Sequence, residues 1–153
     1  MKSTLYLLMI LCLSCLGCRE TQPSPQKPAK SPAEIEAEAK LNGRWRGKGA
    51  EGHDEWEAAF ENGSLVITNR KWHAGDRYSF RLDPTQTPRA IDLVLEEQWE
   101  DKTESRPRRR FHGIYRLDPD TGKLTLRWAE EGFRPTDFVP GKGSFLVLQR
   151  VDR

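Results

Sequence analysis

The sequence predicts an all-β fold: about eight short antiparallel strands closed into an up-and-down barrel, preceded by one short helix. Apolar residues recur at every second position through most of the chain after Leu41, the period of a half-buried strand. Tight-turn residues separate these runs at short intervals. The roughly 110 residues from Leu41 onward suit one domain with one core, and closing the sheet removes the edges an open one would expose.

The helix is marked by SPAEIEAEAKLNG, with Ser31 as N-cap, Pro32 at the first helical position, Glu34 three residues after the cap and Gly43 past the end. Only Ile35 and Leu41 in it are large and apolar, so it is expected on the surface of the domain.

GRWRGKG supplies the first strand, with Trp45 its sole large apolar residue. In HDEWEAAF, Trp56, Ala58 and Phe60 share one face and His53, Glu55 and Glu57 the other. Glu61-Asn62-Gly63-Ser64 reads as a type I′ turn into SLVITNR. DRYSFRLD places Tyr78, Phe80 and Leu82 together, and AIDLVLEE does the same with Ile91, Leu93 and Leu95. RFHGIYRL aligns Phe111, Tyr115 and Leu117, with Gly113 among them as a bulge or close approach. Across the turn Asp118-Pro119-Asp120-Thr121-Gly122, KLTLRWA presents Leu124, Leu126 and Trp128. GSFLVLQRV is apolar on both faces, as a covered or closing strand would be.

Ahead of the domain, MKSTLYLLMIL combines Lys2 with an apolar run of about 12 residues, the plan of a signal peptide. That is short of the ~20 a spanning helix needs. All three cysteines stand at its end, in CLSCLGCRE. Cys12, Cys15 and Cys18 have the spacing that opens an iron–sulfur run, but position 22 is Gln where a fourth thiolate would stand. A zinc site lacks its ligands for the same reason. The stretch resembles a bacterial lipoprotein signal, in which a cysteine after a small residue is lipidated and becomes the N-terminus. Gly17-Cys18 fits best and Ser14-Cys15 is the rival, with plain secretion the alternative to lipidation. The division expected is residues 1–17 as signal peptide, 18–31 as lipidated Cys18 and a Pro-rich tether, and 32–153 as the barrel domain. RETQPSPQKPAK has three prolines and no large apolar residue. At ~3.1 Å per residue it would extend roughly 40 Å. Arg19 after Cys18 lacks the retention aspartate of the Gram-negative pattern, which implies an outer-membrane anchor facing the periplasm.

The stretches "LNGRW", "YSFRLDPTQTPRAIDL", "GIYRLDPDTGKLTLRW" and "FRPTDF" resemble an uncharacterised lipocalin-like domain family abundant in planctomycete bacteria, over about Leu41 to Val151. The resemblance implies a lipocalin-like barrel and a secreted or lipid-anchored setting, and carries no established activity. Gly43-x-Trp45, Thr136-Asp137-Phe138 and Arg150 are similar to three lipocalin signatures in order. This implies a structural pair in which the Arg150 guanidinium stacks on the Trp45 indole and closes the barrel floor.

Residue chemistry points away from catalysis. The sequence holds no nucleophile elbow, Walker loop or dinucleotide fingerprint. His53, His73 and His112 read as solvated surface and not as metal ligands. Without Lys2, the 25 basic residues nearly balance the 23 acidic ones, so no field draws in nucleic acid. The basic run Arg106 to Arg110 follows EEQWEDKTE and reads as one arm of a self-neutralised hairpin. In the FRPTDF loop, Arg134 and Asp137 are expected to pair with each other and Phe138 to anchor the loop. An anionic headgroup held by Arg134 is the alternative.

Nine rings are expected to point inward: Trp45, Trp56, Phe60, Tyr78, Phe80, Phe111, Tyr115, Trp128 and Phe145. Seven of them, Trp56, Phe60, Tyr78, Phe80, Phe111, Tyr115 and Trp128, are candidate contacts for a small apolar ligand in the barrel mouth. An eight-stranded barrel can be filled by its side chains or can hold one small ligand. The expectation is therefore a lipid-anchored, non-enzymatic envelope module without cofactor. It would act through rim loops around Trp72, Trp99 and Phe133 on an envelope protein, or bind an apolar ligand within. A connected interior void beyond ~300 Å³ would decide for the ligand.

Overall fold

The computed structural model describes residues 29–99, 108–130 and 132–151; the signal peptide, Cys18 and nearly all of the tether lie outside them. One helix, α1 (Pro32–Leu41), precedes eight strands: β1 (Gly43–Gly49), β2 (Glu55–Glu61), β3 (Ser64–Asn69), β4 (Ala74–Asp83), β5 (Ala90–Trp99), β6 (Arg110–Leu117), β7 (Lys123–Glu130) and β8 (Ser144–Arg150). Each strand pairs antiparallel with the next, and β8 returns to β1 to close the barrel. The closing seam is tight at Gly47, where a Cβ would collide with the Val147 carbonyl oxygen. No helix among the described residues is long and apolar enough to cross a membrane.

The expected turns form as their residues require. Asn62 and Gly63 both have positive φ, at 51° and 75°. Two such values in succession are the backbone of a type I′ turn. Asp118 accepts the backbone N–H groups of Asp120 and Thr121, and Gly122 ends that turn at φ 65°. An aspartate bonded to the backbone just ahead of it is a common turn device. Gly113 is a close approach, because a Cβ there would meet the Arg127 carbonyl oxygen at 2.7 Å.

One end of the barrel is a floor, made by α1 and Trp45. Trp45 is buried, and its indole Nε1 donates to the Leu41 carbonyl at 2.8 Å. Arg150, opposite Trp45 in register, lies 4.6 Å over the ring and donates to the carbonyls of Asn42 and Lys40. The guanidinium thus stacks on the indole and satisfies carbonyls at the end of α1, where the helix dipole favours a cation.

Four details differ from the sequence reading. The helix does not rest passively on the surface: Leu41 and Ala37 join the core while Ile35 is exposed. Only half of the capping box forms, since Ser31 accepts from the Glu34 N–H but the buried Glu34 carboxylate lies 3.5 Å from Arg81. The strand covered on both faces is β7 and not β8, because the long β7–β8 connection folds against its outer side. Phe145 is therefore not an inward ring: β8 buries Leu146 and Leu148, and Phe145 stands on the other face beside Arg127.

That connection is held at several points, and the expected pairing within it is corrected. Arg134 bonds the Asp92 carboxylate and donates to the Gly113 carbonyl at 2.8 Å; it does not pair with Asp137. Asp137 instead binds Arg127, a buried cation on the outer face of β7. A buried guanidinium requires a counter-charge, and Asp137 supplies it to Arg127 on β7 while Arg134, in the loop, meets Asp92. Pro135 is the fully buried anchor of the loop, and Phe138 is half-buried with Arg116 stacked 4.8 Å over its ring.

Candidate functional site

The end opposite the floor is the mouth, ringed by the connections β1–β2, β3–β4, β5–β6 and β7–β8. Below it the interior is filled. Phe60 and Phe80 meet edge to face at 5.4 Å, and Tyr78 meets Phe111 likewise at 5.8 Å. Both are arrangements that ring quadrupoles favour. What stays open is a cup of about 260 Å³ at the mouth, walled by Trp56, Ile67, Trp128 and Leu146, with Asp76 on its inner side and Glu51 and Asp54 at the rim.

The polar group on the inner side of the cup is Asp76, inward by the alternation of β4, and an irregularity in the partner strand sets the residue beside it. Between Arg77 and Tyr78 the β4–β5 register shifts, so Glu97 pairs outward with Arg77 while Gln98 stands opposite Asp76. The Tyr78 hydroxyl donates to the Asp76 carboxylate at 2.9 Å, on the same inner face as Trp128. Burial, then the charge of Asp76, holds the Tyr78 phenol well above its usual range. Phenol and carboxylate form one pair inside the mouth, suited to holding a polar group between the aromatic walls of Trp56 and Trp128.

Of the seven candidate rings, Trp56 and Trp128 line the cup, and Tyr78 is bonded to Asp76, which lines it. Phe60 and Phe80 are packed against each other in the core. Phe111 is half-buried against Tyr78 with Arg109 5.5 Å over its other side. Tyr115 belongs to a different cleft near the floor. Asp76 was missed, although the alternation Tyr78, Phe80, Leu82 carried back one step would have put it inward.

Among the rim residues, Trp72 and Phe133 are exposed, at 59% and 50%. Trp99 is not a free rim ring: it ends β5 and lies over Gly75, where a Cβ would come within 2.5 Å of the indole. Among the described residues no three His, Cys, Asp or Glu side chains converge as metal ligands. His112 does have neighbours, Asp92 at 2.7 Å and Arg134 at 3.3 Å. The basic arm pairs more widely than one hairpin: Arg108 meets Glu96 at 2.7 Å, while Arg109 reaches Glu130 on β7. Residues 100–107, with Arg106, lie outside the described residues.

Searches against models of known protein families, curated proteins and solved structures give no match for this chain. The class is defined by its own geometry: a closed eight-stranded antiparallel barrel of lipocalin-like form with a single short helix.

Proposed function

We propose that this protein is a lipid-anchored, non-enzymatic module of the cell envelope, held through Cys18 at the outer membrane on its periplasmic side, which acts on another envelope protein through its mouth loops. It is read as a member of the lipocalin-like family its motifs resemble. The filled interior carries the reading, because the cup at the mouth is only about 260 Å³. A site that encloses a drug-sized ligand needs roughly 300–1,000 Å³. The large apolar side chains offered at that end, Trp72 and Phe133, stand on separate loops that a partner could span. A photo-crosslinking amino acid placed at Trp72 or Phe133 in cells should give a discrete adduct with an envelope protein, and one at exposed Ile35 on α1 should not. Absence of an adduct from both loop positions would sink the reading.

A second reading, a small ligand at the mouth, is favoured by the aromatic walls and the Tyr78–Asp76 pair. Native mass spectrometry of the protein from its own host should then show a small-molecule adduct that Trp128→Ala loses. A bare mass for the wild type removes it.

A further inference from the structure

An opening larger than the cup lies away from the mouth. A cleft of about 490 Å³ opens near the floor, between the β4–β5 loop (84–89), the end of β6 and Phe138. Two guanidinium groups line it, Arg89 and Arg116. Both are exposed and neither is in contact with a carboxylate of a described residue, while the charge of Arg89 reaches Glu36 on α1 and that of Arg116 reaches Asp118. The carboxylates flanking the cleft in sequence are engaged elsewhere. Asp83 accepts from the Thr85 hydroxyl and backbone and from Gln86, and Asp118 accepts from its own turn. These hydrogen bonds, those from Thr85 and Thr121 foremost, hold both acids below the usual carboxylate range.

The cleft wall also contains Tyr115, which is 2% exposed. Its hydroxyl is buried without a hydrogen-bond partner among the described residues. Its backbone N–H donates to the Arg89 carbonyl at 2.9 Å, which joins Tyr115 to the end of the 84–89 loop. A buried hydroxyl left unbonded is costly, and natural proteins rarely leave one without a reason. Arg116 is held in place by stacking on Phe138, and the 84–89 loop is braced by Asp83. The two cations are therefore mounted on supported elements.

We propose that this cleft binds a compact ligand bearing an oxyanion, a phosphate monoester or a carboxylate, through Arg89 and Arg116, with the Tyr115 hydroxyl donating to it. Guanidinium forks match both anions in geometry and charge. Pro84, Pro88 and Leu117 supply an apolar wall for the ligand's body. The site is independent of the mouth loops and does not rest on the proposal made for them. The oxyanion could belong to a soluble molecule or to a lipid headgroup, which share this chemistry.

The test uses the full chain carrying Cys18→Ala, so that no acyl anchor intervenes, with phenyl phosphate as soluble probe and phosphatidylglycerol vesicles, against phosphatidylcholine controls, as the lipid probe. Saturable binding is expected in calorimetry or vesicle co-sedimentation. Arg89→Gln with Arg116→Gln should weaken it about tenfold or more. Tyr115→Phe should weaken it several-fold while leaving the melting temperature of the free protein unchanged or raised. Binding of phenyl phosphate assigns a soluble source; arginine-dependent binding to the anionic vesicles alone assigns a headgroup. Absence of both, or affinities unmoved by the arginine substitutions, overturns the site. So does a Tyr115→Phe variant that melts lower and binds as the wild type does.

Discussion

Arg150 lies 4.6 Å over the ring of Trp45, the residue opposite it across the β1–β8 seam. The same guanidinium donates to two carbonyls at the end of α1, and the same indole donates to a third. One pair of side chains thus closes the barrel circumferentially and ties the helix to its floor.

Trp45→Ala should accordingly cost ~3–5 kcal/mol, through the lost ring and the cavity beneath the helix. Arg150→Lys should be milder, because a lysine keeps charge but cannot stack and fork at once. Chemical denaturation measures both; a loss under about 1 kcal/mol for Trp45→Ala would mean the floor stands without it.

The loop pairings are separable by double-mutant cycles. Arg134 contacts Asp92, and Arg127 contacts Asp137. Each of these pairs should show coupling of about 0.5 kcal/mol or more, while Arg134 with Asp137 should be near additive. Arg127→Ala should be the most damaging of the single changes, since Arg127 is buried on the outer face of β7. Strong coupling between Arg134 and Asp137 would contradict the arrangement.

The barrel holds two of the three tyrosines, Tyr78 and Tyr115; the third, Tyr6, lies outside the described residues. Burial, the main cause in both, raises their pKa above the ordinary value. In the unfolded chain the phenols lose their protons first as pH rises, so the stability they contribute is full below about 10 and is lost above it. Ultraviolet titration of the mature protein should show phenolate forming only together with loss of near-ultraviolet circular dichroism. A phenolate step in the intact fold would contradict the burial.

Cys18→Ala should abolish incorporation of labelled fatty acid and release the protein from membranes. Undiminished label would move the attachment to Cys15 or remove it.

Sequence by itself determined what depends on near neighbours. Alternation set the phase of β2, β4 and β7 and with it the inward positions of Phe60, Tyr78, Phe80, Leu126 and Trp128, but not that of β8, whose residues are apolar on both faces. Asn62-Gly63 set its turn, because few other residue pairs adopt two positive φ values in succession. Tertiary structure alone decided contacts between residues distant along the chain. Arg134 meets Asp92, 42 positions away, and not the carboxylate three residues on. The face of α1 that is buried was set by the floor it had to cover, so Ala37 and Leu41 turned inward and Ile35 outward. The register shift beside Tyr78 brought Gln98 opposite Asp76. Whether the rings filled the barrel or walled a cavity was likewise a matter of packing around a closed circle, and local periodicity carries no record of how much volume remains when the last strand meets the first.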